Sequence, residues 1–236
     1  RGRYVIYDES IGNGYRQKAE IERSLATVAQ SGFEDFRLVY QPFVDAEGTV
    51  IGAEALIRWF HPRLGPLSPA LFIPVAEETG DIRLLGQWTL YNAARQLREW
   101  TRGNGRDLHM SINLSPAQFK QQDLIVRVEG IIEALELEEG QLKLELTEGA
   151  VMEDPDEAVR TMAILDERGV RISIDDFGTG YSSLSYLKRF PVHTLKIDRS
   201  FIDDVTTNES NQEIVRAIIS MAKSLRIQSL AEGVET

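Results

Sequence analysis

"RISIDDFGTG", residues 171–180, is the stretch on which the fold turns. Arg171, Ser173 and Asp175 alternate with Ile172, Ile174 and Asp176. A period of two marks a β-strand with one apolar face. The strand runs into two adjacent carboxylates and then a glycine-containing turn. Like charges side by side repel, so the pattern asks what at the strand's end tolerates them.

Strand-like and helix-like stretches alternate on both sides of it. FRLVYQPFVD and TVIGAEALIRW flank a short Ala-Glu-Gly turn, which predicts an antiparallel pair. Helical spacing follows over Pro69–Thr79 and Arg83–Trp100. Then come LHMSINLS, a helix over Leu124–Leu135, LKLELTE, a helix over Asp156–Arg168, and RISIDDFG. A shorter helical piece near Leu184 leads to HTLKIDRS. Glu213–Leu225 is helical, and IQSLAEGVE follows. Strand then helix, repeated, predicts a parallel sheet with helices outside it. A TIM-like (β/α)₈ barrel with an antiparallel first strand is the leading fold, ahead of an open doubly wound sheet. Seven strands are legible, so the last strand and helix unit of such a barrel is expected beyond Thr236. Before Gly32, RGRYVIYDES reads as a lone strand, and Gln17–Gln30 as a helix through Ile21, Leu25 and Val28.

The 236 residues suit one large α/β domain, and 42% apolar with 27% charged content is ordinary for a globular chain. No apolar run is long enough to cross a bilayer. Without cysteine there is no disulfide and no thiolate metal site. The net charge of −11, with no basic block to offset it, argues against a nucleic-acid polymer as partner. A small phosphorylated ligand stays compatible where cations neutralise its site.

The pleat sorts the polar residues. Lys143, Glu145 and Thr147 oppose Leu142, Leu144 and Leu146; His109, Ser111 and Asn113 oppose Met110, Ile112 and Leu114. Thr194, Lys196 and Asp198 oppose Leu195 and Ile197, and Glu54 and Arg58 oppose Ala53, Ala55 and Ile57. A barrel strand buries both faces, and polar side chains in the lumen are costly unless paired. They gather toward the C-terminal strand ends, where barrel enzymes build their sites. Glu54, Asn113, Glu145, Asp175, Lys196 and Glu232 are thereby expected at one mouth. Taken singly, Asp176 or Asp198 reads as a turn or cap residue, Lys196 as an ion-pair lysine, and Glu148 as a loop charge. Asn113 alone reads as a cap for the helix that Pro116 begins. The coincidence of strand after strand ending in a carboxylate or carboxamide favours a site. Its all-oxygen donor set suits Mg²⁺ or Mn²⁺, and the scattered His61, His109 and His193 read as structural.

At these residues the chain closely resembles the EAL family of bacterial cyclic di-GMP phosphodiesterases. The naming motif is Glu54-Ala55-Leu56. "YQP" at 40–42, "NLSPAQF" at 113–119, "ELTE" at 145–148, "DDFGTGYSSL" at 175–184, "KID" at 196–198 and "AEGVET" at 231–236 also match. The likeness runs from about Phe36 to Thr236. Residues 1–32 resemble the tail of a GGDEF domain plus a linker helix, leaving 33–236 as the EAL barrel. The resemblance implies hydrolysis of cyclic di-GMP to linear pGpG by a water that two metal ions activate. It implies Glu54, Asn113, Glu145 and Asp175 as ligands of one Mg²⁺ or Mn²⁺ ion, Asp175 and Asp176 as ligands of a second, and Glu232 as a further metal-site residue. Lys196 would orient the water, with Glu54 and Glu232 also catalytic. Glu148 would anchor the Asp-Phe-Gly-Thr-Gly loop, and Gln41, Arg58, Asp198 and Glu235 would contact substrate. A homodimer, upstream GGDEF or sensor domains in the same polypeptide, and a cytoplasmic setting are expected. The family usually continues with a final helix, an eighth strand and a Gln-Gly motif. A non-catalytic cyclic di-GMP receptor is the alternative, which the full set of metal-ligand positions disfavours.

Overall fold

The computed structural model describes residues 9–103, 107–179 and 184–234. In chain order the elements are α1 (Glu9–Ser31), β1 (Phe36–Val44), β2 (Val50–His61), β3 (Gly65–Leu67), α2 (Pro69–Thr79) and α3 (Ile82–Thr101). Next come β4 (His109–Asn113), α4 (Pro116–Phe119), α5 (Leu124–Leu135), β5 (Leu142–Thr147), α6 (Glu148–Met152) and α7 (Pro155–Glu167). β6 (Arg171–Phe177), α8 (Leu184–Leu187), β7 (Thr194–Ile197), α9 (Arg199–Ile202), α10 (Glu209–Leu225) and β8 (Gln228–Ala231) complete the series. None of the described helices is long and apolar enough to cross a membrane.

The chain divides into two compact units, one drawing on residues up to Val39 and on Leu56–Asn92, the other on Tyr40–Ala55 and on residues from Ala93 onward. In the first, α1 presents Ile21, Leu25 and Val28 along one stripe, and all three are buried together with Phe36, Trp59 and Phe72. Phe36 stacks on Trp59 at 4.9 Å, and Phe72 meets both rings edge-on. Such contacts add roughly 0.5–1.5 kcal/mol each beyond area burial. His61, also buried, accepts the backbone N–H groups of Arg63 and Leu64 on Nδ1, which places its proton on Nε2, 2.8 Å from Ser24 Oγ. The N-terminal strand expected over RGRYVIYDES lies outside the described residues up to Asp8, and Glu9 and Ser10 are helical. The helix expected over Gln17–Gln30 thus begins earlier.

The second unit carries most of the sheet, whose strand order is β1-β2-β4-β5-β6-β7-β8. β1 and β2 are joined through the Asp45–Thr49 turn, whose two ends hydrogen-bond at 3.0 Å. That short connection reverses the chain. From β2 onward every pair in this order is parallel. Both faces of the strands are covered. Met110, Ile112, Leu144, Ile172, Ile174, Leu195 and Ile197 are buried on one side, Ser111, Glu145, Ser173, Thr194 and Lys196 on the other. The barrel expectation is borne out as an incomplete barrel: β1 and β8 end the order and do not pair with one another among the described residues. The sequence-based count of seven strands matches this path. The additional β3 lies off it, pairing antiparallel with β2 through Trp59, Phe60 and His61.

The other helices fall close to where the periodicity places them, with the start of α10 corrected as well as that of α1. α10 begins four residues before Glu213, because Asn208 caps it by accepting the N–H groups of Ser210 and Asn211.

Candidate active site

The parallel register builds the site. Glu54 aligns with Ser111 across β2 and β4, Asn113 with Glu145 across β4 and β5, and Thr147 with Asp175 across β5 and β6. Lys196 and Ile197 of β7 align with Leu230 and Ala231, so Glu232 follows at the end of β8. Asn113, Glu145, Asp175 and Lys196 occupy the C-terminal halves of their strands and Glu232 follows β8, while Glu54 lies nearer the middle of the long β2.

Lys196 is the hub. Its side chain is 1% exposed, and Nζ lies 2.6 Å from Glu145 Oε2, 2.6 Å from Glu232 Oε1, 3.0 Å from Asp175 Oδ1 and 3.6 Å from Glu54 Oε2. Four carboxylates from four strands thus share one ammonium. Asn113 Nδ2 donates to Glu54 Oε1 at 2.6 Å and joins the amide to the group. Asn113 does not cap α4. Ser115 does, in a reciprocal box with Gln118, because the chain needs two more residues to leave the strand before Pro116 starts the helix.

The electrostatics follow from burial and crowding. Burial by itself lowers the pKa of Lys196. Glu145, Asp175 and Glu54 outweigh it and hold the ammonium charged well above the usual lysine range. Burial pushes the Glu145 carboxyl up to about 7, with Glu54 and Asp175 adding to the rise and Lys196 opposing it. Glu232 is raised mainly by burial, against the pull of Lys196. Asp176 is raised by burial and by the neighbouring Asp175 and Asp198.

The doubled aspartate is resolved by the backbone. In a regular strand Asp175 and Asp176 would point to opposite faces. Here the β6–β7 register shifts between Ile174 and Phe177, and Asp176 takes a left-handed conformation at φ 52°. Aspartate tolerates that region better than most residues. The irregularity lets Asp175 and Asp176 offer oxygens that, with one from Glu232, all lie within 4.8 Å of one another. A pure alternation pattern misses this; the visible signal is the charged pair directly before Phe-Gly.

Beyond the strand, Gly178 sits at φ 100°, a conformation open to glycine. Its N–H donates to Glu148 Oε2 at 3.3 Å. Glu148 is buried, and its other oxygen has no hydrogen-bond partner among the described residues. Residues 180–183 of the DDFGTGYSSL motif lie outside the described residues, as does Glu235. Asp198 caps α9, accepting from Ser200 N at 3.1 Å and from the Ser200 hydroxyl, and it lies in hydrogen-bond contact with Asp176. Gln41 is exposed on β1. Arg58 lies in the first unit, where Nη1 donates to the Ile57 carbonyl at 2.8 Å.

An incomplete barrel whose strand ends deliver this set defines a class: the family model described as "EAL domain" matches residues 24–236. The chain belongs to the EAL family. A bifunctional diguanylate cyclase/cyclic di-GMP phosphodiesterase, MucR of Pseudomonas aeruginosa, is 40% identical over 237 residues, spanning all of this chain and 34% of that protein. The oxygen sensor protein DosP of Escherichia coli is 42% identical over 201 residues, 85% of this chain and 25% of its own length. The chain thus spans about a third or less of the curated relatives it matches. Among solved structures, the PaMucR phosphodiesterase in complex with c-di-GMP superposes with TM-score 0.84 at 42% identity, covering 90% of this chain and 87% of that one. The manganese/cy-diGMP complex of Klebsiella pneumoniae BlrP1 gives 0.71 at 28% identity, over 86% and 50% respectively.

Proposed function

We propose that this chain hydrolyses one phosphodiester bond of cyclic di-GMP to give linear pGpG, at the acidic mouth around Lys196. The observation that carries the reading is Lys196, buried among Glu54, Glu145, Asp175 and Glu232 in a member of the EAL family. A buried cluster of four carboxylates against one ammonium is short of positive charge, and further cations would complete it.

The donor set fits divalent metal. Asp175, Asp176 and Glu232 present mutually close oxygens, and Glu54, Asn113 and Glu145 add three oxygen-bearing side chains. Hard oxygen donors without sulfur or paired imidazoles suit Mg²⁺ or Mn²⁺. Two such ions, when bound, neutralise the phosphate and make a water nucleophilic near neutral pH.

The remaining work falls to the protein. Lys196 stays protonated and donates a hydrogen bond that orients the attacking water and opposes negative charge building on the phosphoryl oxygens. Water oxygen bonds to phosphorus as the bond to the 3′ oxygen breaks, leaving a 3′ hydroxyl and a terminal 5′ phosphate. Glu148 holds Gly178 and with it the turn that follows Asp176. By the family's pattern Gln41, Arg58, Asp198 and Glu235 contact the dinucleotide.

The test is incubation with cyclic di-GMP and Mg²⁺ or Mn²⁺, followed by chromatographic separation of pGpG. One pGpG per substrate consumed, abolished by a chelator, is the expected result. Ligand binding with no conversion at saturating metal would refute hydrolysis and leave a receptor.

A further inference from the structure

The opposite end of the strands carries the reverse charge. A cavity of about 590 Å³ is lined by His109, Lys143, Arg171, His193, Arg226 and Gln228. His109, Arg171 and Gln228 are the first residues of β4, β6 and β8, Lys143 is the second of β5, and His193 directly precedes β7. The cavity therefore lies at the N-terminal strand ends, away from the acidic mouth. In a chain of net charge −11, a cavity lined by Lys143, Arg171 and Arg226 against Asp107 and Glu139 calls for an account.

The cations are not equally satisfied. Arg171 is held by Glu139 at 2.7 Å and by Asp166 at 3.4 Å, so its charge is met within the protein. Glu139, which also lines the cavity, is taken up by that pair. Lys143 and Arg226 form no ion pair among the described residues. Lys143 is half-buried, while Arg226, the left-handed residue that ends α10, is exposed and lines the cavity along with Asp107. A half-buried ammonium loses part of its hydration and regains it only from a counter-charge or hydrogen-bond acceptor. His109 supplies no counter-charge, since burial and Lys143 depress its pKa to about 4 and leave it neutral, with one ring nitrogen engaged by the Ile51 backbone.

We propose that this cavity binds a small phosphate anion, with the half-buried Lys143 and the exposed Arg226 as the charged contacts. The guanidinium fork and the ammonium together present several N–H donors to a tetrahedral oxyanion, and Gln228 adds an amide beside them. The cavity has room for a free phosphate or for the terminal phosphate of a mononucleotide. The site lies at the opposite strand ends from the acidic mouth, although the charge of Glu145 acts on Lys143.

The experiment is calorimetric titration of inorganic phosphate and, separately, of GMP into the full chain at physiological salt. A chelator is present throughout so that the acidic mouth holds no metal to capture an anion. Saturable one-to-one binding of phosphate is expected. Lys143→Met should weaken it about tenfold or more, the loss of one charge-assisted hydrogen bond. Arg226→Gln alters an exposed residue, so folding is not at stake, and it should weaken binding about threefold or more. GMP binding tighter than phosphate would identify a nucleotide as the natural source, and equal affinity the free anion. Glu54→Ala should leave phosphate binding unchanged. The proposal is overturned if neither probe saturates by about 10 mM, if both cavity variants bind like the parent, or if Glu54→Ala abolishes binding.

Discussion

Replacing Lys196 by methionine is the most searching perturbation of the mouth. The substitution keeps the length of the side chain and removes its charge. It strands Glu145, whose side chain is 1% exposed, and takes the shared counter-charge from Asp175, Glu232 and Glu54. Removing one partner of a buried ion pair costs about 3–5 kcal/mol. In a chain of this size each kcal/mol moves the melting temperature by about 2–4 °C, so a fall of about 6–20 °C is expected in the metal-free protein at pH 8. The pH dependence has a definite sign. Glu145 has a folded pKa raised from 4.5 to about 7. A carboxyl that is a weaker acid when folded binds its proton preferentially in the folded state. Its stabilising contribution is therefore present at acid pH and is lost as pH rises from 4.5 through 7. Without Lys196 the rise in pKa becomes larger, so the deficit against the parent protein should be greatest at pH 8 and should shrink at pH 5. Mn²⁺ should restore part of the loss, since an ion held at a hundred times its dissociation constant contributes about 2.7 kcal/mol. Thermal melts of both proteins at the two pH values, with chelator and with Mn²⁺, read all three effects. A melting temperature at pH 8 in chelator within about 2 °C of the parent would show that the carboxylates do not depend on Lys196.

Other perturbations separate chemistry from folding. Glu54→Ala removes a carboxylate donor, and Asp175→Asn removes its negative charge and one of its two oxygens, so both should reduce pGpG formation by about a hundredfold or more at saturating metal with circular dichroism unchanged; near-parental turnover in either would dismiss the site. Asp176→Gly should melt at the same temperature or slightly higher, because glycine relieves the φ 52° strain by about 0.5–1 kcal/mol, yet hydrolysis should fall sharply as a donor disappears. Gly52→Ala should destabilise by about 1–3 kcal/mol, since its Cβ would sit 2.5 Å from the His109 carbonyl oxygen on the neighbouring strand; denaturant midpoints decide it. Glu148→Gln keeps an acceptor for the Gly178 N–H while removing the charge, so it should retain more activity than Glu148→Ala in side-by-side turnover assays.

The alternation in LKLELTE and RISIDDFG was enough to place strands and to say which residues line the lumen, because a strand's side-chain period is a local property of its backbone. The helices around Pro69–Thr79 and near Leu124–Leu135 were likewise legible from their spacing. The ordered motifs around Glu54, Asn113, Glu145, Asp175 and Lys196 were legible too, since matching residues needs no coordinates. Three matters were not local and were settled only in the folded chain. The hairpin partner β3 holds three residues, too few to show a period, and it exists because β2 offers it an open edge. Ser115 rather than Asn113 caps α4, because Asn113 is engaged by Glu54, a residue distant in sequence. The turn of Asp176 onto the same side as Asp175 depends on a register shift against β7, and pairing between strands is a tertiary relation that one strand's sequence does not contain. The same holds for Lys196: its identity is written in "KID", but its isolation among four carboxylates arises only when parallel strands bring separate segments to one end of the sheet.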